Sequence, residues 1–177
     1  MRLVAAFLEN GVMDCANFVF HHSRGPMYGY ISGAGLRSLL LPQGRRGHVH
    51  LLHGAPNVVL GKTLRRALER YFAGIEVDFS DIPLDLEDGT PFRRKVWLAA
   101  RAIRWGETAS YAALAQRMGR SAGAARAVGQ ALGANPIPIL IPCHRILAAD
   151  GSLGGFSAGL NWKRELLHIE GCDRHGA

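Results

Sequence analysis

Residues 110–133 read SYAALAQRMGRSAGAARAVGQALG and predict two short helices joined by a tight turn. Ser110 is a good N-cap for the first of these helices, and Gly119 is suited to end it. Ser121 occupies the same capping position for the second helix, which we expect to continue to about Leu132. Two helices separated by so short a turn are typical of a helix-turn-helix.

The second of these helices is built almost entirely from small residues around one large cation, Arg126. The small residues are Ala122, Gly123, Ala124, Ala125, Ala127, Val128, Gly129 and Ala131. A helix this narrow can approach another surface closely. Without further context, the favoured interpretation is a helix packed tightly against a neighbouring helix.

Residues 137–145, downstream of this motif, read IPILIPCHR and place Cys143 between Pro142 and His144. The apolar run predicts a strand, and Pro142 restricts the backbone so that the thiol is presented from a rigid turn. At an ordinary pKa of about 8.5, few such thiols are ionised at neutral pH, and His144 is a plausible base. Taken alone, however, a small buried unreactive cysteine remains the favoured interpretation, because adjacency in sequence does not guarantee contact.

The N-terminal half predicts a small sheet covered by one helix. Residues 28–31 and 36–41 flank the turn residues 32–35 and indicate a hairpin, with a further short strand at residues 48–51. The loop at residues 43–47 separates these strands. Leu60, Leu64, Leu68 and Tyr71 fall at helical spacing and give an amphipathic helix.

The acidic, proline-containing stretch at residues 78–89 is typical of a linker. It predicts an N-terminal α+β subdomain at residues 1–84 and a mainly helical C-terminal domain at residues 85–177. Thr90 and Pro91 predict the start of a helix in the second unit. Residues 149–152 indicate a hairpin turn, and residues 161–170 indicate a final helix.

Composition limits the class of protein. The 177 residues are 48% hydrophobic and 20% charged, which allows one domain or two small ones with real cores. No apolar run approaches the roughly 20 residues of a membrane helix, and Glu9 interrupts the only stretch that resembles a signal peptide. We therefore expect a cytoplasmic protein that does not use a membrane.

The chain is basic, with a net charge of +7 and a sequence pI near 9.9, and arginine supplies most of the positive charge. Arginine suits phosphate contacts, so this balance favours nucleic acid as a partner. The three cysteines are widely spaced and do not indicate a disulfide framework.

One cysteine and several histidines in the N-terminal half raise the alternative of a zinc site. They are Cys15, His21, His22, His48, His50 and His53. A single cysteine without a closely spaced ligand pair is a weak zinc pattern. Solvated or capping histidines are the favoured interpretation, and we expect no metal.

Six short motifs in one unbroken order resemble the O6-alkylguanine-DNA alkyltransferases, also called methylated-DNA protein-cysteine methyltransferases. The motifs are GETASY at residues 106–111, AARAVG at 124–129, NPIP at 135–138, PCHR at 142–145, GGFS at 154–157 and HIEG at 168–171. The resemblance covers roughly residues 90–171, and before residue 90 it is only general. It implies an α+β fold whose C-terminal domain contains a winged-helix-like helix-turn-helix.

The resemblance implies direct reversal of DNA alkylation damage. The alkyl group of O6-alkylguanine, with O4-alkylthymine as a further candidate, would pass irreversibly and once only to Cys143, without a cofactor. His144 would take the thiol proton through a bound water while Glu170 orients the imidazole. Asn135 would brace the active-site turn, and Tyr111 would donate a proton to the leaving purine.

The resemblance also implies how damaged double-stranded DNA would be held by a monomer. Ala125, Arg126, Ala127 and Gly129 would contact the minor groove, with Arg126 filling the gap left by a flipped nucleotide. Pro138, Phe156 and Ser157 would form the substrate pocket. Family members commonly have tyrosine in place of Phe156, so any hydrogen bond from that hydroxyl is lost here.

Three other functions stay open at this point. A non-catalytic alkyltransferase-like protein would bind lesions without chemistry, but its nucleophilic position would not be cysteine. A methylation-responsive regulator would need an additional zinc-binding module. A cysteine hydrolase would use the same thiol repeatedly. The sequence ranks neither methyl against larger alkyl groups nor guanine against thymine lesions.

Overall fold

The computed structural model describes residues 13–42, 48–51 and 57–172. The apolar N-terminal stretch, the loop at residues 43–47 and His53 lie outside the described residues. The elements in chain order are strands β1 Met13–Ala16, β2 Phe18–His22, β3 Gly25–Ile31, β4 Leu36–Leu40 and β5 His48–Leu51, helices α1 Val58–Phe72 and α2 Pro91–Arg101, strand β6 Ala109–Ser110, helices α3 Tyr111–Arg117 and α4 Ala125–Gly133, strand β7 Ile146–Leu147 and helix α5 Leu160–Ile169.

The predicted α+β character is confirmed, and so is the hairpin of the N-terminal half. Strands β2, β3 and β4 form an antiparallel sheet in that order, with Tyr28 opposite Leu40 in the register of the hairpin. The predicted strand at residues 48–51 is also present as β5. Its parallel partner β1 was not predicted.

Helix α1 covers this sheet through the predicted stripe, and all four of its apolar positions are buried. The helix begins where the side chain of Asn57 accepts a hydrogen bond from the backbone N–H of Leu60, at 2.9 Å. The N-cap fixes the first turn, and burial of the stripe stabilises the rest of the helix.

The stretch predicted as a linker contains no helix but is packed closely against the sheet. The backbone N–H of Leu36 donates to Pro83 at 2.9 Å, and that of Asp85 donates back to Leu36 at 2.8 Å. Phe79 and Ile82 are buried in the same hydrophobic cluster as the helices on both sides. The domain boundary between residues 84 and 85 stays a prediction.

The C-terminal helices begin at two of the three predicted caps. Thr90 accepts from the backbone of Arg93, and Ser110 accepts from that of Ala113. Gly119 ends α3 with a φ of +70°, as its position predicted. Ser121 makes no capping hydrogen bond, because a 3-10 turn at Ala122–Ala124 comes before α4 and displaces the helix start from it.

Helices α3 and α4 pack against each other and form the predicted helix-turn-helix. The turn at residues 149–152 is present, with the N–H of Ala148 donating to Ser152 at 2.9 Å. It leads into no strand among the described residues, and β7 pairs instead with β6 in parallel. The hairpin prediction is therefore wrong, and the winged-helix detail is not confirmed.

The apolar run before Cys143 is not the strand that its composition predicted. Residues 138–140 form a turn with bends on both sides, and Cys143–Arg145 is a short 3-10 helix. Pro136, Pro138 and Pro142 have no N–H to donate, which excludes the run from a regular ladder of strand hydrogen bonds. Ile139 lies in the left-handed region with a φ of +76°, and it is the only residue other than glycine that does so in the described ranges.

Helix α5 closes the structure and joins its two halves. It begins and ends within one residue of the prediction. Trp162 is buried, and its indole N–H donates to the carbonyl of Pro42 at 2.7 Å, across 120 residues of sequence. None of the helices in the described ranges is long and apolar enough to span a bilayer.

Candidate active site around Cys143

Asn135 organises the turn that carries the cysteine. Its Oδ1 accepts from the backbone N–H of Ile137 at 2.9 Å, and its Nδ2 donates to the carbonyl of Ile141 at 2.8 Å. The same Nδ2 lies 3.1 Å from the Sγ of Cys143. A single buried amide thus fixes both ends of the turn and also contacts the thiol, as the bracing role predicted for Asn135 requires.

Cys143, which carries the thiol, is only 6% exposed. Burial raises the pKa of Cys143, while the hydrogen bond from Asn135 and the charge of Lys163 act in the opposite direction. Because burial dominates, the resting thiol is protonated at neutral pH. A thiolate therefore forms only when a neighbouring group accepts its proton.

His144 and Glu170 form a buried pair, with Nε2 of the imidazole 2.8 Å from Oε1 of the carboxylate. An ionised carboxylate can only accept, so Nε2 carries the hydrogen and Nδ1 is the basic nitrogen. Nδ1 is buried and has no hydrogen-bond partner among the described residues. Burial lowers the pKa of His144, which keeps the imidazole neutral and able to accept a proton.

Arg145 holds the carboxylate of Glu170 from the other side. Its Nε donates to Oε2 at 2.7 Å, its Nη2 donates to Oε1 at 2.9 Å, and its Nη1 donates to the carbonyl of Ile103 at 2.5 Å. Burial alone would raise the pKa of Glu170, but the hydrogen bonds from His144 and Arg145 outweigh it and lower the pKa to about 2. Glu170 is therefore a fixed negative charge behind the imidazole.

A cavity of about 670 Å³ lies beside the thiol and is also lined by residues of the helix-turn-helix. Residues of α4 form one wall, a glycine-containing loop forms the other, and Cys143 and Tyr111 also line it. The α4 residues include Ala125, Arg126 and Gly129, and the loop residues are Gly155, Phe156 and Ser157. The predicted nucleophile and the predicted DNA-contacting helix thus meet at one cavity.

Tyr111 is half-buried between Gly154 and Gly129, and its hydroxyl leaves no room for a side chain at Gly154. A Cβ at Gly154 would lie 2.9 Å from the phenolic oxygen, and one at Gly129 would lie 3.5 Å from the ring. Burial raises the pKa of Tyr111, with a smaller contribution from Cys143, while a hydrogen bond from the backbone of Gly155 lowers it. The hydroxyl is therefore protonated at neutral pH and can act as a donor.

The other predicted contact residues are distributed unevenly. Arg126 is exposed at the cavity wall, and Ala127 is exposed but does not line the cavity. Pro138 is buried behind the active-site turn and does not line the cavity either. The structure thus brings Phe156 and Ser157 to the cavity that contains Cys143, but not Pro138.

Lys163 is fully buried next to this network, and the sequence interpretation did not include it. Its Nζ donates to the carbonyl of Ile146 at 2.6 Å and to the carbonyl of Leu153. These bonds tie strand β7 to the start of the pocket loop. Burial lowers the pKa of Lys163 to about 8, while the nearby Cys143 raises it.

Sequence reasoning thus missed three polar groups of the site, namely Arg145, Lys163 and Tyr71. Each carried a signal. Arg145 belongs to the quoted PCHR motif, and Lys163 falls at helical spacing with the buried Leu166 and Leu167. Tyr71 places a hydroxyl at the last position of the apolar stripe of α1. A polar group on a predicted apolar face indicates a buried partner.

The histidines of the N-terminal half show no metal cluster in the part of the chain that the structure describes. His22 packs against the rings of Phe72 and Trp162, at centroid distances of 4.4 and 5.2 Å. The side chains of Cys15, His48 and His50 and the whole of His53 lie outside the described residues.

The fold and the cavity together define a helix-turn-helix protein in which a buried cysteine lies within a polar network at the base of that motif. A family model described as the DNA binding domain of 6-O-methylguanine DNA methyltransferase matches residues 91–172. Proteins named methylated-DNA--protein-cysteine methyltransferase are similar in sequence. One from Mycobacterium tuberculosis is 50% identical over 103 residues, which are 58% of this chain and 61% of that protein.

A relative of the same name from Haemophilus influenzae is 48% identical over 118 residues, 67% of this chain and 65% of that protein. One from Methanopyrus kandleri is 46% identical over 111 residues, 62% of this chain and 80% of that protein. The chain thus spans less than two thirds of the first two relatives and most of the third.

The crystal structure of Mycobacterium tuberculosis OGT in complex with DNA is similar to this fold, with a TM-score of 0.75 and 38% identity. The match covers 89% of this chain and 94% of that one. The chain belongs to the methylated-DNA--protein-cysteine methyltransferase family.

Proposed function

We propose that this protein reverses DNA alkylation by transferring the alkyl group of O6-alkylguanine, and of O4-alkylthymine as a further candidate, to Cys143. The observation that carries the proposal is the shared cavity, which places the thiol, the Tyr111 hydroxyl and Arg126 of α4 around one space. Family membership supports the same activity. The presence of Cys143 disfavours the alternative of a non-catalytic lesion-binding protein.

The network supplies what a displacement at carbon requires. Nδ1 of His144 takes the thiol proton through a water molecule, while Glu170 holds the imidazole in the required tautomer. The sulfur then forms a bond to the alkyl carbon as the bond from that carbon to the purine oxygen breaks. Tyr111 gives a proton to a ring nitrogen of the departing base, so the purine leaves neutral. The proton that His144 took from the thiol then replaces the one that Tyr111 lost, so no net charge remains on the protein.

The lesion must leave the double helix to reach the thiol, because an alkyl group on a base oxygen is inaccessible inside the stack. We propose that α4 lies in the minor groove and that Arg126 occupies the gap left by the flipped nucleotide. Unstacking costs a few kcal/mol, and an inserted planar cation offsets part of that cost. The small residues Ala125, Ala127 and Gly129 let α4 approach the sugar-phosphate backbone of the DNA closely.

The product is a thioether, which has no simple route back to a thiol. Each molecule therefore reacts once, and no cofactor enters the reaction. Damaged double-stranded DNA is the proposed partner, supported by the DNA complex of the Mycobacterium tuberculosis relative. The monomeric state and the cytoplasmic location stay predictions.

The direct test is incubation with a duplex oligonucleotide that contains O6-methylguanine, followed by intact-protein and peptide mass analysis. One methyl group per molecule should appear on the peptide containing Cys143. Cys143→Ser should abolish the gain, whereas Cys172→Ser, which changes a second buried cysteine, should not. Binding without methylation would favour a lesion-binding protein, and repeated turnover would favour a hydrolase.

A further inference from the structure

The N-terminal half contributes a side chain to the network behind the thiol. Tyr71 lies in the last turn of α1 and is completely buried. Its hydroxyl donates to Oε1 of Glu170 at 2.6 Å, across 99 residues of sequence. Residues before the helix-turn-helix therefore reach the carboxylate that holds His144.

The surroundings of Tyr71 make this hydrogen bond its principal polar interaction. The ring packs against Phe79 and Trp105, with centroid distances of 5.8 and 5.2 Å. Burial raises the pKa of Tyr71 well above its ordinary value, and the charge of Glu170 raises it further. The hydroxyl is thus a permanent donor, and leaving it without an acceptor would be costly.

Oε1 of Glu170 receives three donors at once: the hydroxyl of Tyr71, Nε2 of His144 and Nη2 of Arg145. Each donor stabilises the ionised carboxylate and draws on the same negative charge. The share of that charge available to the imidazole therefore depends on the other two donors. Arg145 also binds Oε2, whereas Tyr71 acts on the oxygen that contacts His144.

We propose that Tyr71 is a positioning residue for alkyl transfer. Its hydroxyl weakens the interaction of Glu170 with the His144 imidazole and so sets the pH above which His144 can accept the thiol proton. The inference rests on the proposed function. Tyr71 acts through Glu170 and touches neither the thiol nor the cavity beside it.

The direction of the effect follows from the charges that face the imidazole. Burial lowers the pKa of His144, and Arg145 and Lys163 lower it further, whereas Glu170 raises it. In Tyr71→Phe the carboxylate loses a competing donor and interacts more strongly with the imidazolium. The pKa of His144 therefore rises, and the histidine remains protonated, and unable to act as a base, up to a higher pH.

The test measures single-turnover benzyl transfer from free O6-benzylguanine at a series of pH values, by intact-protein mass. The free base needs no flipping, so DNA binding does not enter. In Tyr71→Phe the acidic limb of the rate profile should move upward by about one pH unit. At a pH on that limb, the rate should fall by up to about tenfold relative to the wild type. Tyr30→Phe, which removes a half-buried hydroxyl from β3, should leave the limb in place.

A second measurement separates this role from a loss of packing. With histidines labelled with carbon-13, the His144 signal, assigned by its disappearance in His144→Asn, should titrate at a higher pH in Tyr71→Phe. A lower thermal midpoint with an unchanged limb and an unchanged His144 titration would overturn the proposal and leave Tyr71 a structural residue. A wild-type protein that gains no methyl group from a duplex containing O6-methylguanine would instead refute the proposed function itself.

Discussion

Replacing Glu170 by glutamine tests the central ionic network. The change keeps the size of the side chain but removes its charge. It also places an amide N–H₂ group, which can only donate, against the donors of Tyr71, His144 and Arg145. Arg145, which is only 6% exposed, loses the counter-ion of its guanidinium. We expect a large loss of stability, because an unpaired buried charge is among the costliest defects in a folded protein.

The magnitude follows from the pKa of Glu170, which the fold lowers from 4.5 to about 2. A difference of about 2.5 units corresponds to about 3 kcal/mol of the free energy of unfolding. A carboxyl with a depressed folded-state pKa contributes fully above its unfolded-state pKa, and the contribution is lost as the pH falls through the folded value. The deficit of Glu170→Gln should therefore be about 3 kcal/mol at pH 7 and about half of that at pH 3.

Urea denaturation of both proteins at pH 7 and pH 3 measures these differences. Glu165→Gln is the matched control, because Glu165 lies on α5, the helix that ends directly before Glu170, in a partly exposed ion pair with Arg24. Such pairs contribute about 1 kcal/mol or less. A deficit for Glu170→Gln below about 1 kcal/mol at pH 7, or one equally large at pH 3, would refute the assignment of Glu170 as a fixed buried charge.

Three further substitutions test the cavity. Arg126→Ala should slow methyl transfer from duplex DNA by at least about tenfold and leave transfer from free O6-benzylguanine unchanged, because only the duplex requires flipping. Arg120→Ala, an exposed arginine away from the cavity, is its control, and equal losses with both substrates would assign Arg126 to the fold. Tyr111→Phe should lower the single-turnover rate on duplex DNA by about 100-fold with nearly unchanged DNA affinity, and a normal rate would exclude proton donation. Gly154→Ala should slow transfer, because its φ of +62° and the Tyr111 hydroxyl 2.9 Å from its Cβ both oppose a side chain. Gly155→Ala has neither constraint and should be tolerated, so similar rates for the two variants would contradict this difference.

The features that the sequence predicted well are those decided by neighbours in the chain. The caps at Thr90 and Ser110, the stripe of α1 and the left-handed Gly119 all depend on residues within one or two turns. The strand expected before Cys143 failed for an equally local reason, since its prolines remove the donors that a sheet requires. In that stretch the missing backbone donors decide the structure, although the side chains are as apolar as those of a buried strand.

The site was predictable only as far as the quoted motifs extended. Cys143, His144 and Glu170 come from motifs, and the structure brings the last two together. The contact of Tyr71 with Glu170 joins residues that are 99 positions apart and has no local pattern. A lysine on an apolar helix face, such as Lys163, shows that a partner must exist but does not identify it. Long-range polar pairs therefore need the three-dimensional structure.

The attachment of α5 to the N-terminal half has a consequence for how the molecule folds. Trp162 reaches Pro42 across 120 residues, and Glu170 reaches Tyr71 across 99. Bringing together residues so far apart in sequence closes a long loop of chain and costs entropy before any stabilising contact forms. These contacts therefore form late and slowly. In a refolding experiment, helical signal from α2 to α4 should therefore appear early. Reactivity of Cys143 should follow only with the slowest phase, when the final helix docks and the carboxylate meets its donors.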